Sequence, residues 1–143
     1  MQIYATSQDM IDTFGEAEVI RLTATYEEPS LVDTETLNRA LERSSIDIDA
    51  YLSSRYPRPF AAIPRVLIGI CCDLARYRLC GTGGRVESDE VRDRHRDAIK
   101  LLGMIADGKV KLGQDVADEP VDWGQGVQRI TGDSSFSDVL KDY

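Results

Sequence analysis

Breaks in the chain limit what this sequence can fold into more than any motif does. Pro29, inside Glu27-Glu28-Pro29-Ser30, denies helix continuation. Pro57 disfavours the helical region for Tyr56, and Pro59 blocks an immediate restart. Pro64 falls where the first turn of a new helix accepts proline without losing a hydrogen bond. Gly15, the run Gly81-Thr82-Gly83-Gly84 and Gly108 supply further stops.

Between these breaks the apolar residues recur with a helical period. Thr6 or Ser7 can cap a short first helix ending at Gly15, and Glu16 to Thr23 reads as a second. Asp33 is a natural N-cap for a long helix from Thr34, with Glu35 favoured in its first turn by the helix dipole. Leu37, Leu41, Ser44, Ile48, Tyr51 and Leu52 share one face about 100° wide, and this helix is expected to end near Tyr56. Ile46 lies opposite that stripe and is predicted to be exposed in a monomer. After Pro64, Val66, Leu67, Ile70, Cys71, Leu74, Ala75 and Leu79 form a broad stripe, which marks the most buried helix. Gly81 is expected to end it in the left-handed conformation. Ser88 caps the next helix, whose inward stripe is Val91, His95, Ala98, Ile99, Leu102, Ile105 and Ala106. Its outward charges stand at supportive spacings: Glu90 with Arg94, Asp93 with Arg96, and Asp97 with Lys100. Lys109 to Leu112 reads as a short extended piece.

The pattern dissolves beyond Gly113. Residues 113–143 hold four glycines and a proline without a sustained period, and only scattered anchors: Trp123, Ile130, Phe136, Leu140 and Tyr143. The predicted fold is therefore all-α. A small bundle of four to five helices occupies residues 1–112, and an extended acidic arm over residues 113–143 orders against a partner.

Charge narrows the function. The net charge is -8 over 143 residues, which is one domain's worth of chain. Residues 1–112 carry 18 acids and 15 bases, while residues 113–143 carry 7 acids and 2 bases. Such a chain is repelled at long range by phosphate backbones and anionic lipid, so neither sequence-specific nucleic acid nor membrane is expected as a partner. The longest apolar stretch, Val66 to Cys72, is interrupted by Gly69 and falls far short of the roughly 20 residues a span needs. The first residues lack both a basic region and an apolar run, and no targeting signal is predicted. Cys71, Cys72 and Cys80 are odd in number without CxxC spacing, which suggests reduced thiols.

No residue set suggests catalysis. His95 is the only histidine, and the carboxylates two residues away, Asp93 and Asp97, point to other sides of the helix among Arg92, Arg94 and Arg96. Gly81-Thr82-Gly83-Gly84-Arg85 follows a helix rather than a strand and lacks the lysine of a phosphate loop. Asp47 and Asp49 straddle Ile48 and cannot act as a pair on one face. No catalytic, cofactor-binding or metal-ligating residue is expected, and the chain reads as a non-enzyme. Arg92, Arg94, Arg96 and Lys100 alternate with acids, as a solvated or inter-subunit face does. A small helical DNA-binding or regulatory protein is the alternative. The tight helix junctions, however, carry prolines or glycines, and neither following helix opens with a basic, Asn/Gln-rich turn.

A resemblance adds to this reading. Ala40-Leu41 leads into Ser45, then Ile48-Asp49-Ala50-Tyr51-Leu52, Arg55-Tyr56 with prolines after it, and Ile63-Pro64. Next come Cys72-Asp73-Leu74-Ala75-Arg76-Tyr77, Arg94-His95-Arg96-Asp97-Ala98-Ile99-Lys100-Leu101-Leu102 and Ile105-Ala106-Asp107-Gly108-Lys109-Val110. With the opening Tyr4-Ala5-Thr6 and Val32-Asp33, the stretch from about residue 4 to 112 resembles the head–tail connector family of Mu-like phages. The departures are His95 where that pattern has Tyr and Phe60 where it has Leu. The tail after Gly113 matches no part of the pattern. The resemblance implies a helical head-completion or adaptor protein that forms a ring between portal and tail of a long-tailed phage, twelvefold in related adaptors. Its partners would be further copies of itself, the portal protein, and tail or neck proteins. It would occupy the host bacterial cytoplasm during assembly and then the virion neck. Arg55, Tyr56, Arg76 and Tyr77 are then expected to shape the helix junctions, with Arg55 and Arg76 pairing with Asp49 or Asp73. Ile46, Arg92, Arg96, Trp123 and Phe136 are the candidate contacts between chains.

Overall fold

Each predicted cap closes a helix. The computed structural model describes residues 1–81 and 85–112, which form α1 (Ser7–Phe14), α2 (Glu16–Thr23), α3 (Thr34–Leu52), α4 (Arg65–Cys80) and α5 (Asp89–Ala106). The fold is all-α, and among the described residues there is no strand, so Lys109 to Leu112 is not one. Thr6 forms a capping box with Asp9: its hydroxyl accepts the Asp9 N–H at 3.2 Å and its own N–H donates to the Asp9 carboxylate at 2.8 Å. Asp33 and Ser88 accept from the N–H groups of Glu35 at 3.2 Å and Val91 at 3.3 Å. Between α1 and α2, Gly15 takes φ +88°, a turn a side chain would strain.

α4 is the centre of the bundle. It packs against α3, α5, α1 and α2, and so buries more than one stripe. Cys72, Arg76 and Cys80 are buried along with Leu67, Ile70, Cys71, Leu74, Ala75 and Leu79. α3 adds Leu37, Leu41, Ile48 and Leu52, and α5 adds Val91, Ala98, Leu102 and Ile105. Two small polar residues of α3, Ser44 and Ser45, are also fully buried. Each satisfies its hydroxyl on the carbonyl four residues back, at 2.8 Å, which lets α4 approach closely.

Three local expectations are corrected. Tyr51 stands 39% exposed, because the buried position in the last turn of α3 goes to its neighbour Leu52. Gly81 is right-handed, with φ −78° and ψ −3°; its N–H reaches the carbonyls of Tyr77 and Arg78, so the helix ends by tightening its last turn. Of the outward pairs on α5, Glu90–Arg94 (3.7 Å) and Asp93–Arg96 (3.3 Å) form, whereas Asp97 meets Arg96 at 3.8 Å instead of Lys100.

The left-handed stop falls after α5 instead, at Gly108 with φ +80°. A Cβ there would collide with the guanidinium of Arg55, which lies across it. Gly108→Ala should therefore lower the unfolding free energy by roughly 1–2 kcal/mol, from the left-handed backbone, while the flexible end of Arg55 moves aside at little cost. Urea denaturation checks this. An unchanged midpoint would show that the turn relaxes to another conformation at no cost.

Candidate assembly interface

The four polar junction residues named from sequence fall at two places in the bundle and at the rim of a cleft. At the first place, Arg76 of α4 turns toward α1 and α2. Its side chain is buried and its guanidinium lies 4.6 Å from the centre of the Phe14 ring. It pairs with Glu18 of α2 at 3.2 Å and with Glu90 of α5 at 3.3 Å. Arg94 of α5 stands 5.3 Å from the centre of the same ring and pairs with Asp73 at 3.0 Å. Arg76 thus joins four helices, and its partners are Glu18 and Glu90 rather than Asp49 or Asp73. The hydrogen bond from Arg21 holds the Glu18 carboxyl below its ordinary value; burial opposes this, and Arg76 adds to it. Asp73 is raised by burial, against the pull of Arg94.

The second place is the proline segment. Arg55 forms no ion pair among the described residues, contrary to the expected pairing, and packs on Gly108. Asp49 is taken instead by Arg58 at 2.9 Å and by the Tyr4 hydroxyl at 2.5 Å. Tyr56 is buried against Phe60, ring centres 6.1 Å apart, and Tyr4 meets Phe60 edge-on at the same separation. Gln2 holds both backbone groups of Phe60, donating to its carbonyl at 3.0 Å and accepting its N–H at 2.9 Å. The Tyr4 N–H donates to the Ser45 hydroxyl at 3.0 Å. Sequence reasoning missed Gln2 and the contact made by Ser45, which it named only within the resemblance; an ordinary polar residue and a serine mid-helix give no local signal of such contacts.

The outer surfaces hold the remaining candidates. Ile46 is 49% exposed on α3, as its position opposite the core stripe requires. Arg92 pairs with Asp89 at 2.6 Å and Arg96 with Asp93, all of them solvated. Tyr77 stacks on His95 with ring centres 3.8 Å apart and planes 18° from parallel, at the edge of a cleft between α3 and α4. Burial, then the Arg78 charge, lowers the His95 pKa from its ordinary value. Trp123 and Phe136, with the whole predicted arm and the loop glycines Gly83 and Gly84, lie outside the described residues. Among the described residues no cluster of His, Cys, Asp and Glu is placed to hold a metal ion, and no helix is long and apolar enough to cross a membrane.

Similarity to known proteins covers most of the chain. The family described as "Bacteriophage Mu, Gp36" matches residues 4–129. The "Mu-like prophage FluMu protein gp36" of Haemophilus influenzae is 33% identical over 122 residues, 85% of this chain and 84% of that protein. "Gene product J" of Escherichia phage Mu is 26% identical over 110 residues, covering 77% of this chain and 76% of that protein. The family match begins at Tyr4, where the resemblance read from the residues begins. It runs past Leu112 to residue 129, so the first part of the acidic tail belongs to the family pattern after all.

Proposed function

The chain belongs to the Bacteriophage Mu, Gp36 family, and from that premise we propose that it is a structural assembly protein of a long-tailed phage, a helical connector that joins a ring between portal and tail. The observation that carries this reading is the family match over residues 4–129, taken with the connector pattern of the same stretch. The chemistry of the surface supports it. A net charge of -8 repels a passing DNA duplex rather than gripping it, as the lining of a conduit must. The exposed Ile46 and the solvated alternating charges of α5 are two different patches, as a head-to-tail contact uses.

The same reading makes the protein a non-enzyme that works through further copies of itself, portal, and tail or neck proteins, in the host cytoplasm and then the virion neck. Its one histidine is stacked on Tyr77. Burial pushes the thiols of Cys71 to about 11 and Cys72 to about 12, so neither is a thiolate nucleophile at neutral pH. The experiment is co-sedimentation of the purified chain with portal rings from its own phage. The expected result is stoichiometric incorporation at the portal. Absence of any association would overturn the connector assignment, and duplex DNA binding with a steep salt dependence would replace it by the regulatory reading.

A further inference from the structure

One concavity of this acidic protein is lined by arginine. A cleft of about 780 Å³ opens between α3, the C-terminal half of α4 and the start of the segment after it. Arg39, Arg43, Arg78 and Arg85 line it, and Asp47 is the carboxylate among them. Arg78 pairs with Asp47, Arg39 reaches Glu35 at 2.8 Å along the exposed side of α3, and Arg85 donates to the carbonyls of Arg21 and Ala24. Arg43 is exposed and makes no ion pair among the described residues. Beneath the arginines lie buried core residues, Ala40, Leu74 and Leu79, so the cleft offers a segment mainly charge. It is thus suited to a short acidic segment.

The chain itself carries such a segment. Asp115-Val116-Ala117-Asp118-Glu119-Pro120-Val121-Asp122 alternates four acids with apolar residues, and residues 113–143 as a whole have 7 acids against 2 bases. We propose that the arginine cleft of one copy receives the segment Asp115–Asp122 of the neighbouring copy. This rests on the connector reading. One consideration favours a neighbour over the same chain. The connector reading calls for a head-to-tail contact, in which one copy's acidic segment meets another copy's cleft. An acidic segment and an arginine cleft give each copy one donor and one acceptor. That is a heterologous contact, which closes into a ring.

The full-length chain tests this by sedimentation velocity at low salt. One variant carries Arg43→Glu. A second carries Asp115→Asn, Asp118→Asn, Glu119→Gln and Asp122→Asn together. Wild type should self-associate and dissociate as salt is raised. Each variant, with helicity unchanged by circular dichroism, should associate at least about tenfold more weakly. An equal mixture of the two should form dimers and nothing larger, because only one intact cleft and one intact arm are then available per pair. A mixture that stays monomeric while wild type associates overturns the proposal, as does a wild type that is monomeric throughout. Arg43→Glu associating like wild type also overturns it. If that variant instead loses binding to a short DNA duplex, the cleft belongs to nucleic acid. In each of these cases, incorporation of wild type at portal rings leaves the connector reading standing, and its absence removes both.

Discussion

Arg76→Ala should lower the unfolding free energy by about 2–3 kcal/mol, the largest loss from any single polar residue of the body. The guanidinium is buried between Phe14 of α1, Glu18 of α2 and Glu90 of α5. Truncation removes the stem's packing and the ring contact, and leaves a half-buried carboxylate on Glu18. Glu18 keeps Arg21 at 2.8 Å, and Glu90 is well solvated, so the loss stays below the full cost of orphaning a deeply buried charge. Arg76→Lys separates the contributions: it keeps the charge and most of the stem but loses the planar fork that serves two carboxylates and a ring face. The lysine variant should therefore fall between the wild type and alanine in urea denaturation. A loss below about 0.5 kcal/mol for alanine would show that the helices are held by their apolar faces alone.

Ile46→Asp should do the reverse, leaving the monomer intact and abolishing incorporation into particles. At 49% exposure the isoleucine contributes little to the body, and the substitution should change its stability by no more than about 0.5 kcal/mol. In a ring contact the same carboxylate would be buried against an apolar partner surface without a counter-charge, a penalty of several kcal/mol in each of the many repeated interfaces. Thermal melting and co-sedimentation with portal rings, run on the same preparations, give the two answers. Equal incorporation of wild type and variant would remove Ile46 from the interface.

What was legible in the sequence is what neighbouring residues decide. Thr6, Asp33 and Ser88 cap because their side chains reach an N–H two or three residues on, and α4 starts directly after Pro64; α3, expected to end near Tyr56 before Pro57, stops earlier, at Leu52. Ile46 could be placed outside because helical geometry alone fixes its face. The sequence did not disclose contacts made across the fold. Arg76 and Glu18 are separated by 58 residues, and nothing in either segment prefers that pairing to Asp73, which is closer in sequence and compatible in charge. The burial of Cys72 and Cys80 was missed for a related reason: a single amphipathic stripe describes a helix packed on one side, and α4 is packed on several. Of the candidate interface, the exposed residues were readable and the arginine cleft was not. It is assembled from Arg39 and Arg43 on α3, Arg78 on α4 and Arg85 beyond it, none of which forms a cluster along the chain.

The hold of Gln2 on Phe60, and of Tyr4 on Ser45 and Asp49, has a consequence for how the chain is made. Gln2 and Tyr4 leave the ribosome ahead of the partners named, which lie 41 to 58 residues downstream. At translation rates of about 5–20 residues per second, Phe60 is added roughly 3–12 s after Gln2, and clears the exit tunnel later still. During that interval α1 and α2 have only their own caps and Gly15 turn to organise them, with Tyr4 and Met10 in water instead of in the core. This piece is thus secured only after its later-made partners emerge, and a nascent chain halted before the proline segment would present these residues to chaperones rather than to the bundle.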